Sequence, residues 1–379
     1  MFRRKTIRYM AESMVAAAQF SATFGQWFED GVGKRLGFSN YGGKFSFDIG
    51  HLMATGVLSS PNVLIFGSLG QGKSSLLSSL TLGDDNKRAI YFDPKGDVNT
   101  SLAKRGYKFL DQAVNPFFPH RGRLAIMESN LEIAILACGY VLGRKLEEVE
   151  SAALSECVQR MIFEANIEIL IGFLEQLDDS RGPINWRGRY RVGDLDPLIS
   201  ACNQLKNKKL MSISSPEKIE VLEVILEGGV VDLSDHLASE HLPLRVALIL
   251  ASLRSAKMSG ISKVSAVGID ELWALLQDRE IAIWIERYFK LSRGIGISNV
   301  AVTHSIADLQ RDLVGGGLLG AAEVFVSFRQ SIDDALSFVK MLGLSPSIAG
   351  VISELSVGST IWLVKENVAV VNLDYEVFE

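Results

Sequence analysis

One stretch of this chain has the residue types and spacing of a phosphate-binding loop. It reads Gly67-Ser68-Leu69-Gly70-Gln71-Gly72-Lys73-Ser74-Ser75. The spacing Gly-x4-Gly-Lys-Ser is the P-loop pattern, in which glycines let several backbone N–H groups point at one phosphate group. The lysine adds a positive charge for the β- and γ-phosphates, and the serine hydroxyl can ligate Mg²⁺. The alternative is a chance Gly/Ser-rich turn, but the flanking apolar run and helix favour nucleotide binding by all nine residues.

A pair of carboxylates follows a second apolar run. Residues 263–269 predict a strand that ends in Asp270-Glu271. Asp270 is predicted to hold the hydrated Mg²⁺, and Glu271 to orient the water that attacks the γ-phosphate. Many strands end in acidic residues, so the pattern gains its meaning from its place downstream of a P-loop.

Two further residues are candidates for catalytic roles beside Lys73 and Glu271. His304 ends a predicted strand over residues 299–303, where a neutral imidazole could donate a hydrogen bond to the γ-phosphate. Arg293 follows a predicted helix and precedes that strand. The alternatives are a purely structural histidine and a helix-terminal cation that satisfies carbonyl groups.

The elements that must position these residues alternate between strand and helix. Strands are predicted at 63–66, 88–93, 107–110, 229–233, 263–269, 299–303 and 323–329, and a hairpin at 359–371. Helices are predicted at 73–82, 242–258, 281–292, 332–342 and 345–355. This alternation predicts an α/β fold with a mainly parallel sheet.

The pattern changes between residues 128 and 227, where helical periodicity dominates and no strong strand intervenes. We therefore predict an all-α insertion over 128–227. It divides a nucleotide-binding core made of residues 59–127 and 228–379. Residues 1–58 form a leader with an amphipathic helix and an edge strand near Lys44 to Asp48.

Composition limits the partners. The chain has 379 residues, a net charge of −5 and three widely spaced cysteines, which fits a globular protein of a reducing compartment. The charge excludes a chain-wide surface for polyanions. A local candidate for DNA is the arginine set that is interleaved with Trp186 and Tyr190, namely Arg181, Arg187, Arg189 and Arg191. The alternative is a solvated loop.

The N-terminal segment has basic residues and apolar residues at helical spacing. We expect a helix that docks on protein, with peripheral contact to an anionic membrane as the alternative. No segment is predicted to span a membrane, so a cytoplasmic location is expected, with peripheral attachment at the cytoplasmic face as a variant of it.

Taken together, these motifs resemble the HerA–FtsK superfamily of ring-forming motor ATPases. The nearest likeness is to the large ATPase of type IV secretion and conjugation systems (VirB/TraC-type), in the form found in Gram-positive conjugative elements. The likeness rests on the P-loop and on six further strings. They are Phe92-Asp-Pro-Lys-Gly-Asp97, Asn115-Pro-Phe117, Val231-Asp-Leu-Ser234, Ile269-Asp-Glu-Leu-Trp273, Arg293-Gly-Ile-Gly296 and Val302-Thr-His304.

The resemblance implies a RecA-like P-loop domain with a helical insertion, ATP and Mg²⁺ as cofactors, and a homo-oligomer that is usually a hexamer. It also implies an arginine supplied to the neighbouring subunit's nucleotide, for which Arg293 stands at the matching position. Related proteins commonly have glutamine where this chain has His304, and glutamate where it has Asp97.

The function expected from this resemblance is an ATP-hydrolysing motor that serves a membrane complex for secretion or conjugation. A DNA translocase or coupling protein of the FtsK or TraG type is the alternative within the motor class. An assembly factor that binds nucleotide and turns over little is the alternative from another class.

Overall fold

The computed structural model describes residues 32–40, 43–82, 88–96, 109–110, 114–178, 190, 193–211, 219–309 and 315–374. Its strands are β1 (Lys34–Ser39), β2 (Lys44–Phe47), β3 (Asn62–Phe66), β4 (Ala89–Asp93), β5 (Phe109–Leu110), β6 (Gly229–Asp232), β7 (Ala266–Ile269), β8 (Ser298–Val302), β9 (Val324–Ser327), β10 (Ser359–Val364) and β11 (Asn367–Leu373).

The helices alternate with these strands along much of the chain. They are α1 (Ile49–Ala54), α2 (Lys73–Leu82), α3 (Leu124–Leu142), α4 (Glu148–Arg160), α5 (Ile167–Asp178), α6 (Asp196–Asn207), α7 (Ile219–Glu227), α8 (Leu242–Met258), α9 (Leu272–Leu275), α10 (Arg279–Leu291), α11 (Gly315–Gly320), α12 (Ile332–Met341) and α13 (Ser347–Glu354).

The chain divides into two compact units. The first contains residues 1–92, 265–279 and 285–379. Its centre is a run of parallel strands in the order β9-β3-β8-β7-β4. All side chains of β3, β4, β7 and β9 are buried, as expected of parallel strands covered on both faces. The predicted α/β fold with a mainly parallel sheet is confirmed.

Beyond β9 the sheet of the first unit continues with antiparallel strands. Strand β10 pairs with β9 and forms the predicted hairpin with β11. Strand β1 pairs with β11, and β2 pairs with β1 at the sheet edge. The edge strand expected near Lys44 is therefore confirmed, whereas the pairing of β1 with the C-terminal strand was not predicted.

Helix α2, which follows the P-loop, packs against β7 and β8. The approach is close because Gly268 of β7 has no side chain. A Cβ atom there would lie 3.0 Å from Cδ2 of Tyr91 and 3.1 Å from the side chain of Thr81 in α2. The small residue thus lets the helix that carries Lys73 and Ser74 rest on the strand that leads to Asp270.

The second unit contains residues 93–264 and 280–284. Helix α3 packs against α4, α6 and α8, and α5 packs against α4 and α6. The short strands β5 and β6 pair in parallel. In the described part of residues 124–227 there are five helices, α3 to α7, and the long periodicity predicted over 147–177 is broken between α4 and α5.

The limits of the second unit do not coincide with the predicted limits of the insertion. It begins at Asp93 and not at residue 128, and it extends to Val264 and not to residue 227. The reason is tertiary packing. Helix α8 lies against α3 and α7, and β6 pairs with β5, so segments on both sides of the predicted insertion join it.

Helix α3 was not singled out from the sequence as a candidate membrane span. Within the described part of the chain it is long and apolar enough to cross a membrane, and 39% of its most apolar window is buried. Its packing on three other helices of the same unit is also what a core helix shows. Two other predictions lie outside the described residues, namely the amphipathic N-terminal helix and the arginine set Arg181, Arg187, Arg189 and Arg191. Asp97, where related proteins commonly have glutamate, also lies outside them.

Candidate functional site

The P-loop leaves β3 at the carboxyl edge of the parallel strands. Gly67 has a φ of 150°, and a Cβ atom on it would lie 2.6 Å from Cβ of Phe328. Its N–H donates to the carbonyl of His304 at 3.0 Å, and the N–H of Ser68 donates to the carbonyl of Arg329 at 2.9 Å. The residues that follow both neighbouring strands, β8 and β9, therefore anchor the loop. The close approach of Phe328 and the positive φ explain why a glycine stands at the first position of the loop.

The charged residue of the loop is held inside it. Lys73 is buried, and its Nζ donates to the carbonyl of Ser68 at 2.9 Å. Gln71 is buried as well, whereas the side chain of Leu69 is 74% exposed. Lys73 begins α2, so its ammonium group and the positive end of the helix dipole lie on the same side of the sheet. This arrangement suits the phosphate groups of a nucleotide.

The structure brings the two predicted metal ligands together. The hydroxyl of Ser74 donates to Oδ2 of Asp270 at 2.7 Å, and Asp270 is buried. A hydroxyl and a carboxylate oxygen beside a phosphate site are the hard donors that Mg²⁺ prefers, and this ion keeps several waters in its shell. The residues present therefore fit a Mg²⁺ ion.

Glu271 has an unusual backbone. Its φ and ψ are 54° and 48°, the left-handed conformation, which costs a residue with a side chain roughly 1–3 kcal/mol. The N–H of Glu271 donates to Oδ1 of Asp270 at 2.9 Å. The chain turns sharply here between β7 and α9, and only 4% of Glu271 is exposed. Strain of this kind is concentrated at functional sites.

The carboxylate of Glu271 contacts two nitrogen donors. The Nε1 of Trp273 donates to Oε2, and the Nε2 of His304 lies 3.0 Å from the same oxygen. The rings of Trp273 and His304 are 6.5 Å apart, with planes inclined by 33°. Both nitrogens therefore approach the same carboxylate oxygen.

His304 follows β8, which pairs with both β3 and β7. The strand that leads to His304 therefore lies beside the strand that leads to Asp270. The Nε2 of His304 faces Oε2 of Glu271. Donation to a γ-phosphate, as the sequence suggested, would compete with this contact, and the phosphate-sensing role stays a prediction.

Arg293 lies at the other edge of the sheet. It occupies the turn between α10 and the start of β8, is exposed, and donates from Nη1 to the carbonyl of Ser59 at 3.1 Å. Strands of five residues, each spanning roughly 16 Å, separate this turn from the P-loop. The structure therefore does not bring Arg293 together with the P-loop of its own chain.

A buried amide network holds the Arg293 turn in place. Oδ1 of Asn62 accepts from Oγ of Ser292 at 3.1 Å and from Nδ2 of Asn299 at 2.8 Å. Nδ2 of Asn62 donates to the carbonyls of Phe289 and Ala321. The turn is thus a defined part of the sheet's amino edge.

Sequence reasoning assigned no role to two residues that lie at this site. Trp273 contacts Glu271, and Arg329 is an exposed cation at the end of β9 whose carbonyl accepts from Ser68 of the P-loop. The signal for Arg329 was its place after an apolar strand, the same signal that identified Asp270. Trp273 belongs to the Ile269-to-Trp273 string that carries the resemblance, but its contact with Glu271 depends on the left-handed turn at Glu271.

The turn after β4 has a structural explanation. Oδ1 of Asp93 accepts from the N–H groups of Lys95 and Gly96 at 3.2 and 2.9 Å. The aspartate thereby shapes the turn that follows β4.

Comparison with solved structures shows which known proteins share this fold. The structure of VirB4 from Thermoanaerobacter pseudethanolicus superposes with a TM-score of 0.68, at 16% identity, over 92% of this chain and 98% of that chain. The fold is that of VirB4. The RecA-like P-loop fold implied by the motifs is therefore confirmed.

Other relatives share the fold or part of the sequence. The plasmid coupling protein TrwB, solved with the ATP analogue ADPNP, gives a TM-score of 0.54 at 16% identity over 83% of this chain and 86% of that chain. TrwB has also been solved with ADP and Mg²⁺, at the same TM-score and 15% identity over 83% and 85% of the two chains.

A curated relative is the DNA import protein CedB of Sulfolobus acidocaldarius. It is 27% identical over 264 residues, which are 66% of this chain and 41% of CedB. The chain therefore matches less than half of the length of that relative. No family model matches the chain.

Proposed function

We propose that this protein is an ATPase that powers a conjugation, secretion or DNA-transfer apparatus. The proposal rests on the hydrogen bond from Ser74 to Asp270. This contact lies beside Glu271, at the edge of the sheet that also carries the P-loop. This set contains a phosphate cradle, ligands for a cation and a carboxylate for water. These are the parts that hydrolysis of a nucleoside triphosphate requires.

In this proposal the loop binds the phosphates first. The backbone N–H groups of residues 67–75 surround the β-phosphate, and Lys73 exchanges its contact with the Ser68 carbonyl for the β- and γ-phosphate oxygens. Mg²⁺ held by Ser74 and Asp270 would neutralise part of the phosphate charge when it is bound. The cradle lies on rigid elements, so little of the binding energy is lost in ordering it.

The chemical step follows from Glu271. Its carboxylate orients a water and accepts a proton from it while the water oxygen bonds to the γ-phosphorus. The bond between that phosphorus and the β–γ bridging oxygen breaks, which gives ADP and phosphate. General-base assistance of this kind contributes about 10²–10⁴-fold to the rate.

The proposed working form is a ring, a hexamer by the resemblance, in which Arg293 serves a neighbouring subunit. Arg293 is separated from its own P-loop by the length of the sheet, so contact with a nucleotide needs a second chain. An arginine supplied in this way raises phosphoryl-transfer rates by about 10³–10⁵-fold. We further propose that the protein acts in the cytoplasm, at the cytoplasmic face of the membrane that contains the apparatus.

The cargo is proposed to be DNA or protein. TrwB is a plasmid coupling protein and CedB is a DNA import protein, which supports DNA as the cargo and keeps the translocase alternative open. The arginine set Arg181, Arg187, Arg189 and Arg191 is the proposed DNA contact. A decisive experiment measures ATP turnover with single-stranded DNA, double-stranded DNA and no DNA, with Lys73→Ala as the inactive reference.

Each result of this experiment supports a different candidate function. Stimulation by DNA supports the translocase, and stimulation by membrane-complex components alone supports the secretion motor. Slow turnover that neither changes supports the nucleotide-gated assembly factor. Turnover by Lys73→Ala equal to that of the wild type would reject the P-loop ATPase itself.

A further inference from the structure

We propose that Trp273 is a positioning residue for Glu271, acting together with His304. The inference rests on the proposed ATPase function and deepens it, because it names what holds the water-orienting carboxylate in place. Trp273 lies two residues after Glu271, in the short helix α9. Its indole N–H donates to Oε2 of Glu271, and Nε2 of His304 lies 3.0 Å from the same oxygen.

The carboxylate of Glu271 needs hydrogen-bond donors from other residues. Its left-handed backbone carries the side chain away from the direction that an extended strand residue would take. The carboxylate is almost fully buried, and an ionised carboxylate in such a place requires hydrogen bonds to stay charged. Trp273 and His304 supply two of them.

Both nitrogens approach the same oxygen of that carboxylate, Oε2. A carboxylate held through Oε2 by two nitrogens from different directions cannot rotate about its terminal bond without breaking both contacts. The two carboxylate oxygens are thereby made unequal, and the orientation of the carboxylate plane is set before a water binds. Fixed geometry of this kind is what makes a catalytic group effective.

Trp273 and His304 come from different parts of the first unit. His304 follows β8 and its carbonyl accepts from Gly67 of the P-loop, whereas Trp273 belongs to the turn after β7. The carboxylate is thus fixed relative to the phosphate cradle through His304 and relative to Asp270 through its own backbone N–H. The hydrogen bond from Trp273 fixes the remaining rotation of the Glu271 carboxylate.

The test in turnover uses Trp273→Phe, which keeps an aromatic ring and removes the N–H donor. We expect kcat to fall about tenfold or more, as loss of a hydrogen bond to a charged group predicts, with ATP affinity unchanged. In a Glu271→Gln background the same substitution should cause little further loss, since residues that act as a unit are not additive. His304→Ala should lower kcat as well, and His304→Gln, which keeps an N–H, should restore part of it.

The matched control is Trp362→Phe. Trp362 is buried in β10 and donates its indole N–H to Oγ1 of Thr360 at 3.1 Å, so the same bond type is lost away from the site. Its kcat should equal that of the wild type. A Trp273→Phe variant whose kcat stays within about twofold of wild type, rises above it, or falls equally in the Glu271→Gln background overturns the proposal.

A second measurement does not depend on hydrolysis. The chain has five tryptophans and therefore five indole N–H resonances, of which Trp273→Phe removes and so assigns one. In Glu271→Ala that resonance should move upfield and exchange faster with solvent, while the Trp362 resonance stays in place. An unmoved Trp273 resonance overturns the contact, whereas a moved resonance in a protein without ATPase activity would uphold it and reject the proposed function alone.

Discussion

The hydroxyl of Ser74 lies 2.7 Å from Oδ2 of Asp270, although 196 residues separate the two in sequence. Ser74 stands in the first turn of α2, and Asp270 follows the last residue of β7. The contact joins the P-loop to the acidic pair, so the phosphate cradle and the carboxylates form one site. Its two oxygen atoms also define where a hard cation would be bound.

The first prediction concerns this pair of ligands. Ser74→Ala removes a hydroxyl ligand, and Asp270→Asn replaces a charged carboxylate by a neutral amide. Both changes weaken the set of hard oxygen ligands that Mg²⁺ prefers. The Mg²⁺ concentration that gives half-maximal turnover should rise by at least about tenfold, the lower end of ligand-sphere effects. The measurement is ATPase rate against Mg²⁺ concentration. Ser78→Ala, in the same helix but outside the motif, serves as the control. An unchanged half-maximal Mg²⁺ concentration in both Ser74→Ala and Asp270→Asn would contradict the assignment of these residues as metal ligands.

The second prediction separates binding from chemistry. Glu271→Gln keeps the size of the side chain but loses the carboxylate that takes a proton from water. It should bind ATP as the wild type does and hydrolyse it at least about a hundredfold more slowly. Nucleotide binding is followed with a fluorescent ATP analogue and turnover by phosphate release.

The control for that experiment is Glu366→Gln, in the exposed turn between β10 and β11. It makes the same chemical change far from the site and should leave both quantities unaltered. Turnover by Glu271→Gln within about twofold of wild type would show that another group orients the water.

Much of the fold could be predicted because its signals are local. Apolar runs that end in glycine, aspartate or histidine marked β3, β7 and β8, and helix α8 has the predicted limits, 242–258. The rule that parallel strands direct their carboxyl ends to one edge then brought Ser74, Asp270 and His304 together. Arg293 was placed correctly in a turn, but its distance from the P-loop followed only from strand direction.

The rest depended on contacts between distant segments. The pairing of β1 with β11 joins residues near both ends of the chain, and no periodicity encodes it. The left-handed conformation of Glu271, and with it the contact to Trp273, depends on the packing around a single turn. Cys138 and Cys202 seemed unrelated, yet their sulfur atoms lie 3.6 Å apart between α3 and α6.

The third prediction concerns the thiols, all three of which are buried. Burial raises the pKa of Cys157 to about 12, and the hydrogen bond to Cys202 together with burial raises the pKa of Cys138. Because the thiolate is the reactive form, Cys138 and Cys157 should resist a thiol reagent at pH 8 in the native protein and react once it is unfolded.

The same pKa shift predicts how stability depends on pH. Above pH 9 the unfolded chain releases the Cys157 proton, whereas the folded chain keeps it up to about pH 12. The folded state then binds more protons, so the free energy of unfolding should fall as pH rises through this window, by up to about 1.4 kcal/mol per unit. Cys157→Ala should show a shallower slope in denaturant titrations between pH 9 and 10.5, and equal slopes would contradict the assignment.

The fourth prediction is that the hydrolytic site is shared between subunits. Within one chain the P-loop edge has Lys73 and Arg329 as cations, while Arg293 stands at the opposite edge, held by the Asn62 network. Charge that develops on the γ-phosphoryl oxygens calls for a further cation, and a neighbouring chain can bring Arg293 to it. Arg293→Ala should therefore bind ATP and be inactive, and the specific activity of the wild type should rise with protein concentration.

Mixing two inactive variants tests the shared site directly. Lys73→Ala lacks the phosphate-binding charge but keeps Arg293, whereas Arg293→Ala keeps the P-loop, so mixed rings should regain part of the wild-type activity. Arg287→Ala, an exposed arginine of α10, controls for the loss of a surface charge near the turn and should remain active. Because each mixed interface pairs an intact P-loop with an intact arginine only in one direction, recovery should peak near equal amounts of the two variants. Co-assembled rings without recovered activity, together with wild-type turnover that is independent of concentration, would favour a site completed within one chain, for which Arg329 is then the cation to replace.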